Sequence, residues 1–395
     1  EIKDFSEIVQ NLLNGNLVVI SQALKKALYI DFKNFERRSV ESPDAEEVLR
    51  GPKEGFNENY RTTTSLIRRK VRTPDLIFEE YVLGKQTNTL TALVYIDGIV
   101  NKDVLNEVRK KINKINIDRV FDGGHIEQLI EENVFSPVSG IGITQKPDIV
   151  AARLLEGRVA IICDGTPHVL TIPDLFVDSI HTADDYYNRI IFTAFLRLLR
   201  VLGLFISVLL PGLAVAILTY DQEMIPSEFL TTIIASTETT PLPSGAEAFF
   251  LILMFELLRE SGTRLPRMVG NAISIVGALI IGEAAVNAGI VSAPFVIIIA
   301  LMAVCSFVLP NILEFIVFYR LLFLILGSTM GLIGISCGIV LMLTQLSSTY
   351  SFGVPILSAF YKEDLKDSII RFPLDKLKYR PGTIAKDNVK RVDMQ

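Results

Sequence analysis

The sequence predicts a multi-domain protein in which two small N-terminal α/β subdomains precede a polytopic α-helical bundle of about six transmembrane or intramembrane helices, each span needing about 20 apolar residues. Three observations lead there. Residues 1–189 interleave charged positions with short apolar runs, as a water-soluble α/β fold does. From Ile190 to Ser347, apolar stretches follow one another with few charges between them. The whole-chain mean hydropathy of +0.40 beside 21% charged residues is the average of those two unlike halves. The expected bounds are 1–120 and 121–189 for two cytoplasmic α/β subdomains, 190–347 for the transmembrane bundle and 348–395 for a basic cytoplasmic tail.

In the first half, LVVI (17–20) and KALYIDF (26–32) read as strands, and SPDAEEVLR (42–50) as a helix with Ser42 as cap and Pro43 at its first position. A helix over 58–70 gathers Arg68, Arg69 and Lys70 at its C-terminal end, with Arg72 just beyond, where positive charge complements the helix dipole. That cluster is a solvated helix end or a docking surface for a partner or anionic headgroups. DLIFEEYVLG and NTLTALVYID form two strands around a turn at Gly84, followed by an amphipathic helix over 102–115. A second unit has helices over 124–132 and 147–156 and the strands RVAIICD and PHVLTI, joined by the turn Asp164-Gly165-Thr166-Pro167. The subdomain boundary is expected near 117–125. The opening EIKDFSEIVQ is too charged for a cleavable signal peptide, and an initiator methionine is expected upstream of Glu1.

In the second half, a first span over 190–220 is entered by Arg197 and Arg200 and bent at Pro211. The loop 221–245 has no Lys or Arg and holds Asp221, Glu223, Glu228 and Glu238, so it is expected to face away from the cytoplasm. A short acidic segment over 246–258 ends in a turn with Arg259, Arg264 and Arg267, back on the cytoplasmic side. Spans over 268–287 and 291–309 follow. The run 312–346 is long enough for two more if Arg320 occupies a polar-lined or interfacial position. A cytoplasmic C-terminus then requires an even number of spans.

Small residues four apart let helix backbones approach closely: Gly270, Ser274, Ala278 and Gly282 on one span, and the pairs Gly327 with Gly331 and Gly334 with Gly338 on the last run. Glu256, Glu260, Glu283, Glu314 and Arg320 stand out because a charge stranded in hydrocarbon costs several kcal/mol. Glu260 is expected to form a structural pair with Arg259, Glu314 and Arg320 to anchor a helix at the cytoplasmic boundary, and Glu283 to serve an ion path or a subunit contact. Ser292, Val296, Ile299, Ala303 and Ser306 form one stripe on the 291–309 span. Among symmetry mates it could line a pore gated by Val296 and Ile299, and ordinary packing against another helix fits the same spacing.

No enzyme motif is visible: there is no Walker loop, no G-x-S-x-G and no H-E-x-x-H. Cys163, Cys305 and Cys337 lie far apart, and His125, His168 and His181 lack ligand spacing, so neither a metal nor a cofactor is expected.

GPKEGFNENYRTTTSLIRRKVRTPDL (51–76), KPDIVAARLLEGRVAIICDGTPHVL (146–170), the membrane phrase from FELLRESGTRLP to CSFVLPN (255–311), SFGVP (351–355) and RFPLDKLKYRP (371–381) resemble the A subunit of GerA-type spore germinant receptors, in collinear order over nearly the whole chain. Glu283 departs from the G-Q-A-A phrase of that family, so a role for an uncharged side chain is not carried over to it. The resemblance implies the inner membrane of a bacterial endospore, with N- and C-termini on the cytoplasmic, spore-core side. It also implies a transporter-like B subunit that binds the nutrient, a lipoprotein C subunit, and a homo-oligomeric, pentameric ring in membrane lipid that passes monovalent cations. Nucleic acid has no part in it. A scaffold that assembles the B and C subunits without conducting is the alternative. A secondary transporter would need inverted repeats, and none is convincing here.

Overall fold

The computed structural model describes residues 17–21, 26–30, 46, 48, 50–237, 240–264, 282–358, 367, 371–373, 377–385 and 388–391. Most of the acidic helix expected over 42–50 lies outside them, as do Glu238, Gly270, Ser274 and Ala278. The chain divides into two compact units, residues 1–194 together with 349–395, and residues 195–348.

In the first unit, β1 (Leu17–Ser21) and β2 (Lys26–Ile30) form an antiparallel pair. The main sheet follows: α1 (Tyr60–Lys70), β3 (Leu76–Leu83), β4 (Thr89–Ile96), α2 (Lys102–Ile112), α3 (Gly123–Ile130), β5 (Gly142–Thr144), α4 (Pro147–Leu155), β6 (Val159–Cys163) and β7 (Val169–Ile172). Its five strands lie in the order β3-β4-β6-β7-β5, all antiparallel. Side chains alternate across a strand, and here both faces are buried. Ala92, Val94, Ile96, Ala160 and Ile162 pack under α1 and α4, whereas Leu93, Tyr95, Ile161 and Cys163 pack under α2 and α3. Asn59 and Asn101 cap α1 and α2 by accepting backbone N–H groups.

The boundary expected near residue 120 falls inside this sheet, because β4 pairs with β6, Thr91 opposite Cys163 through Val94 opposite Ala160. Two separate hairpins would each leave an apolar strand edge unpaired, and joining them removes both edges. The described residues beyond 348 likewise do not form a free basic tail. Phe352, Val354 and Ile384 are buried in the core under α2 and α3. Arg371 donates to the carbonyls of Asp185, Tyr186 and Asn188, and Arg380 to those of Leu155, Asn388 and Lys390. The basic helix end of α1 is also largely used within the fold. Arg69 and Lys70 pair with Glu54 at 2.5 and 3.4 Å, and Arg68 stacks on Phe78.

Beneath β5 to β7 lies a buried ionic cluster. Arg158 bonds Asp178 and lies 3.1 Å from Glu156, and Arg153 lies 2.8 Å from Asp174. Burial raises the Asp178 carboxyl, but the Arg158 and Arg153 guanidiniums outweigh it and hold the group below the usual carboxylate range. Its folded value is thus depressed, so its stabilisation is complete above the unfolded value of about 3.9 and is lost as pH falls through the folded one. Asp178→Asn should therefore destabilise the protein by about 3 kcal/mol at pH 7. In denaturant titrations that difference should hold down to about pH 4 and shrink below it.

The helix α5 (Ile190–Thr219), which contains Pro211, begins in the first unit and from Phe195 onward forms the start of the second. The acidic loop beyond it is not wholly irregular, since α6 (Ser227–Thr237) forms there. Next come α7 (Ser244–Arg264), longer than the expected 246–258, a helix end over 282–287, α8 (Ala293–Phe307) and α9 (Leu313–Ser348). Among the described residues, Ile190–Thr219 and Pro310–Ser348 are long and apolar enough to cross a membrane.

Region α9 is two arms, not one rod. Gly331 has φ 61 and ψ −144, which no continuing helix allows. Tyr319 Oη donates to Gln345 Oε1 at 2.7 Å although the residues are 26 apart, a separation of about 39 Å along a straight helix. The arms therefore fold back on each other, and glycine makes the close approach possible. A Cβ on Gly334 would overlap the Leu326 carbonyl oxygen, and one on Gly327 would overlap that of Gly212 on α5. Tyr220 closes the tip, donating to the carbonyls of Ser328 and Thr329 at 3.1 and 3.0 Å that the break leaves without helical partners. Gly334→Val should destabilise the detergent-solubilised protein by about 1–3 kcal/mol through overpacking. Gly382→Ala, at a position with no atom within 4 Å of a new Cβ, should leave thermal unfolding unchanged.

Candidate functional site

Buried polar side chains within the second unit make at least two contacts between helices. Arg320, on the first arm of α9, is wholly buried. Its Nε donates to the Ser207 carbonyl of α5 at 3.0 Å, and its Nη1 to Glu256 Oε1 of α7 at 2.7 Å. The other oxygen of Glu256 holds Arg259 one turn further along α7. One guanidinium thus braces three helices. Burial makes this pairing obligatory: removing one partner of such a pair costs about 3–5 kcal/mol.

These partners differ from those expected, and helix geometry gives the reason. Neighbours on a helix surface are three or four residues apart. Glu314 lies six from Arg320, on another face, and is exposed in the first turn of α9, so Arg320 is a buried brace instead of half of a boundary anchor with Glu314. Arg259 pairs with Glu256, three back, and not with the adjacent Glu260. Glu260 instead accepts from Arg264, four on, at 2.6 Å, with both side chains mostly exposed. Glu283 is exposed in the 282–287 helix end. Gly282 lies beside it, where an added Cβ would sit 3.7 Å from Val296.

The second contact was not visible in the sequence. Glu247 of α7 is 1% exposed, and its Oε1 accepts from both the backbone N–H and the hydroxyl of Ser292, the latter at 2.8 Å. Ser292 is the N-cap of α8, so a carboxylate from a neighbouring helix satisfies the positive end of that helix. Glu247 reads in sequence only as one acid in a segment that has several. Its partner lies 45 residues away, beyond any local pattern.

This contact also orients α8. Ser292, Ile299, Ala303 and Ser306 are buried, and Val296 is half-buried. Phe295, Ile299 and Met302 pack with Val215, Ala248, Leu251, Ile252 and Leu324 of the same chain. Of the two readings of the stripe, the contacts are those of packing between helices of one protomer. The face that one copy leaves exposed is apolar: Ile297, Leu301, Val304 and Phe307.

Arg320 Nη2, Arg259 Nη1 and Glu247 Oε2 are among the buried polar atoms of this unit without a hydrogen-bond partner among the described residues. A polar atom left so costs about 1–3 kcal/mol, which makes these stressed points of the unit. Glu256→Gln should lower stability in detergent by about 3–5 kcal/mol by stranding Arg320. Glu260→Gln, at an exposed pair, should change it by less than about 1 kcal/mol. Adding Arg320→Met to Glu256→Gln should recover part of the loss in the same chemical denaturation series, since no charge then lacks its partner.

Comparison with known proteins adds a lineage to this geometry. The family model described as Bacillus/Clostridium GerA spore germination protein matches residues 1–383. Spore germination protein KA of Bacillus subtilis (strain 168) is 42% identical over 391 residues, covering 98% of this chain and 72% of that protein. Spore germination protein GerLA of Bacillus cereus is 40% identical over 383 residues, with 95% and 78% covered. The crystal structure of the N-terminal domain of the A subunit of the Bacillus megaterium spore germinant receptor GerK3 is 34% identical, with a TM-score of 0.33. That match spans 44% of this chain and 62% of the crystallised one.

Proposed function

Because the chain belongs to the GerA family of spore germination proteins, we propose that it is the A subunit of a nutrient-sensing germinant receptor whose copies close into a pentameric ring and open a path for monovalent cations. It acts in the inner membrane of the endospore with a transporter-like B subunit that carries the nutrient site and a lipoprotein C subunit. No reaction chemistry is assigned to it.

The observation that carries this reading is the Arg320 brace. It ties α5, α7 and α9 together, while α8 keeps a continuous apolar face available to a neighbouring copy or to lipid. In a ring, Ile297, Leu301 and Val304 of successive copies would form a narrow apolar constriction that dewets when closed. The small-residue stripe through Ser292 and Ile299 holds the helix in its own protomer. Movement of α8 would act on the Glu247 to Ser292 contact, one of the under-bonded points.

Topology supports an even number of crossings. Residues 349–358, 371–373, 377–385 and 388–391 belong with residues 50–194, so both ends of the second unit connect to the same compact unit. Six crossings would take α5, α7, α8, the two arms of α9 and the span that the sequence predicts over 268–287. At 15 residues α8 is about 22 Å long, and the arms are about 26 Å, so the bilayer around them would have to thin slightly. Both termini then lie on the cytoplasmic, spore-core side.

A non-conducting scaffold is the second reading, favoured by the burial of the polar stripe within one protomer. Flux from proteoliposomes containing the purified chain separates the two. On the channel reading, Ile297→Ser or Leu301→Ser raises cation leak at least several-fold without nutrient, whereas Ile299→Ser lowers the folded yield and adds no leak. Vesicles that stay tight with both exposed-face variants would rule out this constriction, and tight vesicles with intact partner binding favour the scaffold.

A further inference from the structure

The segment after α3 turns at Asn133 to Ser136, closed by the Ser136 N–H donating to the Asn133 carbonyl at 3.0 Å. Its two tip residues are apolar and face water: Phe135 is 98% exposed and Val134 56%. Leu129 and Tyr350 add partly exposed apolar surface nearby in the fold. Single exposed apolar residues are ordinary, but a fully presented phenylalanine at the tip of a well-tied loop is not.

The loop is held firmly, and what holds it is informative. Ser351 Oγ donates to the Gly140 carbonyl, and the loop base shares a small cavity with Thr349, Tyr350, Ser351 and Phe352. Phe352 and Gly353, with φ 49 and 80, form the tight turn of the hairpin between β8 (Tyr350–Ser351) and β9 (Val354–Pro355). The Thr349 carbonyl is already bonded to the Ile356 N–H at 3.2 Å. Thr349 directly follows Ser348, the last residue of the apolar region that is long enough to cross a membrane. The segment against which this loop packs is therefore the one through which the chain leaves that region, with no linker between. Aromatic and apolar side chains at that level partition into the boundary of headgroups and acyl chains.

We propose that the Val134–Phe135 tip is a lipid-surface contact that inserts shallowly into the bilayer beside the exit of α9. The proposal rests on the reading of α9 as membrane-embedded. The recognition is apolar, since Glu131 and Glu132 flank the tip and Glu132 lies 3.9 Å from Lys111, leaving no excess of positive charge to select anionic lipid. Zwitterionic phosphatidylcholine should serve as well as mixtures with phosphatidylglycerol.

The chain contains no tryptophan, so Phe135→Trp introduces a single reporter at a site with almost no packing to disturb. In the full chain in phosphatidylcholine nanodiscs, its emission should be blue-shifted. Lipids brominated near the glycerol end of the acyl chain should quench it at least twofold more strongly than lipids brominated near the terminal methyl, and adding phosphatidylglycerol should not change the result. Water-like emission from chain that co-elutes with lipid would overturn the loop contact and leave the membrane reading of α9 standing. Blue-shifted emission that no brominated lipid quenches would mean that protein, such as a second copy, covers the tip, and would equally overturn it. Chain that fails to co-elute with lipid would overturn both.

Discussion

A guanidinium wholly enclosed by helices governs the architecture of the second unit. Arg320 has no access to water, so its charge is met inside the protein by Glu256 and by the Ser207 carbonyl. Those two contacts set the relation of α5, α7 and α9, because shifting any one of the three helices would strand a charge or a carbonyl in apolar surroundings. The glycine contacts follow from the same arrangement. Gly212 lies against Phe323 and Gly327 one to two turns beyond Arg320, where the backbones are too close for a side chain between them.

Energy in this unit is distributed unlike that of the first. The sheet unit gains from area, with two apolar faces of five strands each covered by helices, and tolerates a buried ionic cluster because arginines surround its carboxylates. In the helical unit, apolar burial cannot by itself hold helices together if their outer surroundings are lipid, and close backbone packing with a few polar bridges takes over. The Glu247 to Ser292 bond and the Tyr220 bonds to the hairpin tip have the same character: one side chain from another element satisfies a helix end.

The described residues between 349 and 391 belong to the first unit, and this constrains the end of α9. The chain enters the helical unit from one compact domain and comes back to that domain, so the second arm of α9 is followed immediately by ordered, hydrogen-bonded backbone instead of a slack tail. Within the proposed receptor, displacement of that arm would bear on Thr349 and the hairpin beyond it. Arg371 and Arg380, which in sequence belong to the expected basic cytoplasmic tail, are occupied with carbonyl groups of the fold.

Much was legible in the order of residues alone, and the physical reason is that local patterns encode local structure. The strand runs LIFEEYVL and NTLTALVYI, the amphipathic pattern over 102–115, the apolar run from Ile190 and the long phrases shared with the GerA family needed no tertiary information. Nor did the expectation that Gly331, Gly334 and Gly338 mark close helix contact. Pairings across long separations were settled only by tertiary structure. Nothing local says that β4 lies beside β6, that Arg320 meets an acid 64 residues earlier in place of Glu314, or that Glu247 caps a helix beginning 45 residues on. The face of α8 that turns inward is a decision of the same kind: periodicity gives a stripe its spacing, and only the helices packed around it determine whether that stripe meets protein, lipid or water.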